Sequence, residues 1–131
     1  DEERKKRKLL YETYIRCLRH VQGITVLEHP KNIQSSYQYF VIKINEKQFG
    51  TSRNYVYEEL KKYNVFTRKY FYPLCSTYPH YRNLPSAQKT NLPIANKVAS
   101  EVLSMPFYGG LSVRDIEKIC AIIEHFRRTT L

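Results

Sequence analysis

The chain has 131 residues and a mass of 15.7 kDa, with 22 Lys and Arg against 12 Asp and Glu, a formal net charge of +10. A hydrophobic content of 42% excludes a disordered tail and predicts one globular domain with a real core. No stretch approaches the roughly 20 apolar residues of a membrane span. The charged opening residues are unlike a signal peptide, so we expect a soluble protein.

Twelve tyrosines and no tryptophan accompany the excess of positive charge. Because cations bind phosphates and flat rings stack on bases, this combination favours a basic, tyrosine-rich module that binds single-stranded nucleic acid. The sequence contains neither an RNP-like aromatic strand nor a G-x-x-G loop, and its cations are spread along the whole chain. Nucleic-acid binding is therefore kept as the alternative function.

Residues 1–21 are predicted to form the first helix, with acids in the first turn and apolar residues at helical spacing. A strand is predicted over 37–44, where aromatic and β-branched residues dominate and one face is apolar. Ser52 is a plausible N-cap for a second helix that ends near Asn64. A second strand is predicted over 65–72, ended by Pro73.

Residues 75–91 form a long polar segment that contains proline and aromatic side chains, which is typical of a functional or flexible loop. A third helix is predicted from Pro93, a third strand over 103–106, and a last helix from a capping box at Ser112 to about Arg128. This order predicts an α/β (α+β) domain: a small three-stranded sheet with about four helices, covered mainly on one face.

The three cysteines are far apart in the sequence and include no C-x-x-C pair, and the four histidines show no i, i+4 spacing. Neither a disulfide framework nor a metal site is predicted from these patterns. This cysteine usage favours a reducing compartment, and we expect a cytoplasmic protein.

The densest chemical signal lies between Thr67 and Leu74. In a strand, alternation would place Arg68, Tyr70 and Tyr72 on one face. A guanidinium can bind a phosphate with two hydrogen bonds, and phenols can bond sugar hydroxyls while their rings stack on a base. The pattern indicates a phosphorylated, hydroxyl-rich ligand. The alternative is a half-buried Tyr70 beside a surface Arg68, with no ligand.

The blocks NVFTRKYFYPL at 64–74 and IANKVASEVLSMPFYGGLSVRDIEKICAII at 94–123 resemble the C-terminal portion of the DegT/DnrJ/EryC1/StrS sugar aminotransferases. The resemblance extends over essentially the whole chain and looks closest to viosamine-type transaminases, which act on dTDP-linked sugars. It implies the C-terminal domain of a fold-type I transferase that depends on pyridoxal phosphate. The implied reaction transfers an amino group from an amino-acid donor to a keto-deoxy sugar that is linked to dTDP or UDP. Its product would serve polysaccharide or secondary-metabolite synthesis.

Members of this family are much longer, and the resemblance places their Schiff-base lysine in an upstream large domain. Residues 1–131 are therefore expected to be a single C-terminal small domain, without catalytic, cofactor-binding or metal-binding residues and inactive alone. The parent is expected to be a cytoplasmic homodimer with no membrane partner. The substrate-binding candidates implied by the family block and the loop after it are Arg68, Tyr70, Tyr72, His80 and Tyr81.

Overall fold

An antiparallel sheet of three short strands forms the centre of the fold. The computed structural model describes residues 2–128. The central strand β2 pairs with β1 on one side, where Ile44 faces Ile24, and with β3 on the other, where Ile42 faces Leu103. The three strands are β1, Ile24–Val26; β2, Val41–Ile44; and β3, Val102–Ser104.

Five α-helices lie around this sheet in the described part of the chain. The last helix begins with a reciprocal cap, because Asp115 N–H donates to Ser112 Oγ at 3.1 Å and Ser112 N–H donates to the Asp115 carboxylate at 2.9 Å. Hydrogen bonds from Ser112 also lower the pKa of Asp115. The helices are α1, Glu2–Leu18; α2, Glu46–Phe49; α3, Arg53–Lys62; α4, Pro93–Glu101; and α5, Val113–His125.

The core lies between one face of the sheet and the apolar sides of α1, α3 and α5. Ile42, Ile44 and Leu103 point into this core and are almost fully buried. The opposite face is partly covered by α4, and Lys43 on that face pairs with Glu101 at an N–O distance of 3.2 Å. The sheet is therefore covered mainly on one face, and the predicted fold class is confirmed.

The predicted strand over 65–72 is wrong. Only Arg68 pairs with the sheet, through an isolated bridge to Ser104. The chain then turns at once: Tyr72 N–H donates to Lys69 C=O at 3.0 Å, and a cis peptide joins Tyr72 to Pro73. The turn removes the alternation on which the prediction depended. The strand that the sequence analysis did not predict is β1, Ile24–Val26.

The long polar segment 75–91 contains three single-turn 3-10 helices. Their bounds are Cys75–Thr77, Pro85–Ala87 and Lys89–Asn91. No helix among residues 2–128 is both long and apolar enough to cross a bilayer. Within the same range, no three His, Cys, Asp or Glu side chains come together as metal ligands.

Candidate functional site

Arg68 lies in a cleft at the edge of the sheet beside β3. Its N–H donates to Ser104 C=O at 3.0 Å and its C=O accepts from Ser104 N–H at 2.8 Å, so its backbone is fixed while its side chain is exposed. The cleft has a volume of about 280 Å³, and its walls include the rings of Tyr39, Phe66 and Tyr108. We call this depression the Arg68 cleft.

The side chains of the Arg68 cleft can bind polar and aromatic groups together. No Asp or Glu within residues 2–128 pairs with Arg68, so its guanidinium is available to an external anion. The hydroxyls of Tyr39 and Tyr108 can bond sugar hydroxyls, and the ring of Phe66, 66% exposed, can stack on a base. This combination suits a ligand that carries phosphate, sugar and an aromatic ring.

Tyr70 does not share a face with Arg68. Its ring centroid lies 5.2 Å from that of Tyr39 and 3.9 Å from that of Phe71, on the wall of an apolar groove of about 270 Å³ between β2 and α4. Burial, and next the neighbouring Tyr39 phenol, raise the pKa of Tyr70. Tyr70 therefore contacts the Arg68 cleft through Tyr39 and keeps its proton at neutral pH.

Tyr72 lies in a third depression, a cavity of about 300 Å³ between the start of α3 and the segment after Pro73. The ammonium of Lys69 stands 5.8 Å from the centre of its ring. The prediction that Arg68, Tyr70 and Tyr72 project from one face is wrong, because the turn after Lys69 sends them to three different depressions.

His80 and Tyr81 lie on an exposed turn of the segment 75–91, where Tyr81 N–H donates to Tyr78 C=O at 2.9 Å. Neither side chain lines the Arg68 cleft or the cavity beside Tyr72. Their role in substrate binding stays a prediction.

Tyr39 and Tyr108 line the Arg68 cleft, and Arg53 lines the cavity beside Tyr72, but the sequence analysis did not single out any of them. Tyr39 precedes the core residue Phe40, so strand alternation was the signal that could have placed it on the outer face. Nothing in the turn around Tyr108 marks it. Arg53 follows a helix N-cap, where a solvated side chain is expected, yet it is only 4% exposed.

Comparison with solved structures places this fold among sugar aminotransferases. It matches the structure of DesI, determined in the presence of its TDP-sugar product, with a TM-score of 0.86 and 29% identity over 95% of this chain and 31% of DesI. Residues 1–124 match the DegT/DnrJ/EryC1/StrS aminotransferase family, and the chain belongs to that family. The predicted family is thus confirmed.

Two curated relatives carry the same name, dTDP-4-amino-4,6-dideoxy-D-glucose transaminase. The protein from Escherichia coli is 45% identical over 118 residues, which are 90% of this chain and 32% of the relative. The protein from Shigella dysenteriae is 30% identical over 114 residues, 87% of this chain and 30% of the relative. The chain therefore spans about a third of the length of these relatives.

Proposed function

We propose that this chain is the substrate-side, C-terminal domain of a pyridoxal-phosphate-dependent aminotransferase that aminates a nucleoside-diphosphate keto-deoxy sugar from an amino-acid donor. The observation that carries the proposal is the Arg68 cleft, which is lined by Tyr39, Tyr108 and an arginine that pairs with no carboxylate among residues 2–128. The names of the two relatives and the product in the DesI structure support the same ligand class. Dimerisation and a cytoplasmic location remain predictions for the whole protein.

We expect residues 2–128 to hold no complete site for pyridoxal phosphate. Such a site needs a lysine amine, and it needs an acid that keeps the pyridine ring protonated as an electron sink. Every lysine among residues 2–128 is exposed or half-buried. Two lysines, Lys69 and Lys89, line the cavity beside Tyr72, but its described walls include no Asp or Glu. We assign the cofactor and the catalytic lysine to the part of the protein outside this chain.

The chain alone is expected to be inactive as a transaminase. After incubation with pyridoxal phosphate, its absorbance spectrum should remain that of the free cofactor, and borohydride reduction should label no single lysine stoichiometrically. The Escherichia coli relative, treated in parallel, is the positive control. Stoichiometric labelling of one lysine, or turnover of a dTDP-linked keto sugar by the chain alone, would contradict this expectation.

A chimera in which this chain replaces the aligned third of the Escherichia coli relative tests the role of Arg68. We expect the chimera to aminate a dTDP-linked keto sugar. In it, Arg68→Gln should lower kcat/KM about 30-fold, because losing a charge-assisted hydrogen bond to a phosphate costs roughly 2 kcal/mol. Steady-state kinetics against the sugar concentration measure the change.

The matched control in the chimera is Lys118→Gln, which removes an exposed cation from α5, away from the Arg68 cleft. It should leave kcat/KM unchanged. An unchanged kcat/KM in the Arg68→Gln chimera, or an equal loss in the control, argues against substrate binding by Arg68.

Nucleic-acid binding is not favoured as the alternative. The chain belongs to an aminotransferase family, and several of the cations that suggested nucleic acid are paired with carboxylates. Arg16 pairs with Glu117 at 3.0 Å, and Arg19 pairs with Glu28 at 3.0 Å. Cations that are paired with carboxylates are less available to a phosphate backbone.

A further inference from the structure

The cavity beside Tyr72 carries a concentration of positive charge that the proposed function does not use. We call it the Arg53 cavity. Its walls include Arg53 at the start of α3, Lys69 in the turn after the bridge, and Lys89 in the last 3-10 helix. Among the described residues, no Asp or Glu lines it. Its volume of about 300 Å³ lies at the lower end of the range for small-ligand sites.

Arg53 is the buried member of this group. Its Nη1 donates to Val102 C=O at 2.6 Å, and its Nε donates to Asn54 Oδ1 at 3.0 Å. Its Nη2 hydrogen-bonds no atom of residues 2–128, and no carboxylate in that range pairs with the guanidinium. Burial lowers the pKa of Arg53. Nη2 remains accessible to solvent, and since the guanidinium has no counter-charge among residues 2–128, it can donate to an anion in the cavity.

The two lysines flank this buried charge from different segments. Lys69 is held by aromatic rings, with its ammonium 4.6 Å from the centre of Tyr57 and 5.8 Å from that of Tyr72. Lys89 is exposed, and neither lysine pairs with a carboxylate among residues 2–128. Asn54, Asn96, Thr77 and Ser100 add neutral polar groups to the walls.

We propose that the Arg53 cavity binds a phosphate or diphosphate group. Arg53 Nη2 donates to one oxygen, and Lys69 and Lys89 balance the remaining charge as flexible ammonium groups. A group with several anionic oxygens matches three cations better than a single carboxylate does. The ligand is either the diphosphate of a nucleotide or free inorganic pyrophosphate. The inference rests on the charges of the cavity and not on the proposed transaminase function.

The test uses the 131-residue chain, titrated with inorganic pyrophosphate, dTDP and thymidine at low salt. Isothermal calorimetry gives the affinities, and the Arg53 Nε–H resonance locates the site. We expect pyrophosphate and dTDP to bind and to shift this resonance, and thymidine to do neither. A dTDP affinity well above that of pyrophosphate identifies a nucleoside diphosphate as the source, and equal affinities identify free pyrophosphate.

Substitutions separate this site from the Arg68 cleft and from general attraction to a basic protein. Lys89→Ala should weaken pyrophosphate binding about tenfold, the loss expected for one charge-assisted contact. Arg53→Lys should weaken it similarly, with circular dichroism to check the fold, and Lys89→Ala still tests the site if Arg53→Lys does not fold. Lys118→Ala should change it less than about twofold, and in Arg68→Gln pyrophosphate should still shift the Arg53 Nε–H resonance.

Three results would overturn the anion site: no binding of pyrophosphate, an equal loss in Lys118→Ala, or binding that depends on Arg68 and not on Lys89. If dTDP binding also depends on Arg68 and not on Lys89, the anion site at Arg53 is wrong, but the proposed function is still supported. The opposite outcome is also distinguishable. If pyrophosphate binding depends on Lys89 and the chain binds no dTDP, the anion site is supported and nucleotide-sugar binding is not.

Discussion

Gly23→Ala is expected to lower the free energy of unfolding by roughly 2–4 kcal/mol, because the new Cβ meets backbone that cannot move away. Gly23 has φ +85, a left-handed conformation that costs an alanine about 1 kcal/mol before any contact is considered. An ideal Cβ would lie 2.6 Å from Phe49 Cα and 2.7 Å from Phe49 Cβ.

Neither partner in this overlap has room to shift. Phe49 is fully buried in the core at the end of α2. Gly23 C=O accepts from Asn45 N–H at 2.8 Å, and Asn45 is the N-cap of α2, so the two segments are joined at both ends of the short helix. Relief of the overlap would therefore have to displace β1 from α2.

Urea denaturation followed by circular dichroism measures the loss. Gly110→Ala is the matched control, because its nearest neighbours are ring carbons of Tyr108 at 3.4 Å and its φ lies outside the left-handed range. The control should stay within about 0.5 kcal/mol of the parent chain. Equal urea midpoints for the two variants would mean that a Cβ at position 23 does not destabilise the fold through its overlap with Phe49.

Four of the five described helices, α1, α3, α4 and α5, were predictable because each carries its own signal in neighbouring residues, whereas the one-turn helix α2 was not predicted. The signals for α5 are the capping pair Ser112 and Asp115 and the apolar stripe that follows it within a few turns. These signals predicted the helix that forms at Val113–His125. The segment 65–72 has equally strong local preferences for a strand, but a strand also needs a partner along its length. Beyond Arg68 the chain turns away from β3, so local preference loses to tertiary pairing.

The candidate site was predictable at Arg68 and only in part beyond it. The family block identified Arg68, but the phenols beside it in the cleft, Tyr39 and Tyr108, come from distant parts of the chain. The burial of Arg53 is likewise a tertiary property, since its partner is the carbonyl of Val102 on β3. A sequence pattern places a residue on an element, whereas these contacts depend on how the elements pack.

Tyr14→Ala is expected to lower the free energy of unfolding by about 4 kcal/mol, the usual cost of deleting a buried aromatic ring. Tyr14 is fully buried, and its ring stacks on Phe40 with centroids 4.4 Å apart. Its hydroxyl donates to Pro106 C=O at 2.9 Å, which ties α1 to the chain after β3. The control Tyr14→Phe keeps the ring, removes only this hydrogen bond, and should lose about 1 kcal/mol.

The same residue predicts a loss of stability in alkali. Burial raises the pKa of Tyr14 above its ordinary value, so the folded state keeps the proton while the unfolded state loses it. The contribution is complete below about pH 10 and falls above it by about 1.4 kcal/mol per pH unit. Urea midpoints from pH 8 to 11 should therefore fall more steeply for the parent chain than for Tyr14→Phe. Parallel curves would mean that the Tyr14 phenol ionises as readily in the folded chain as in the unfolded one, against its burial in the core.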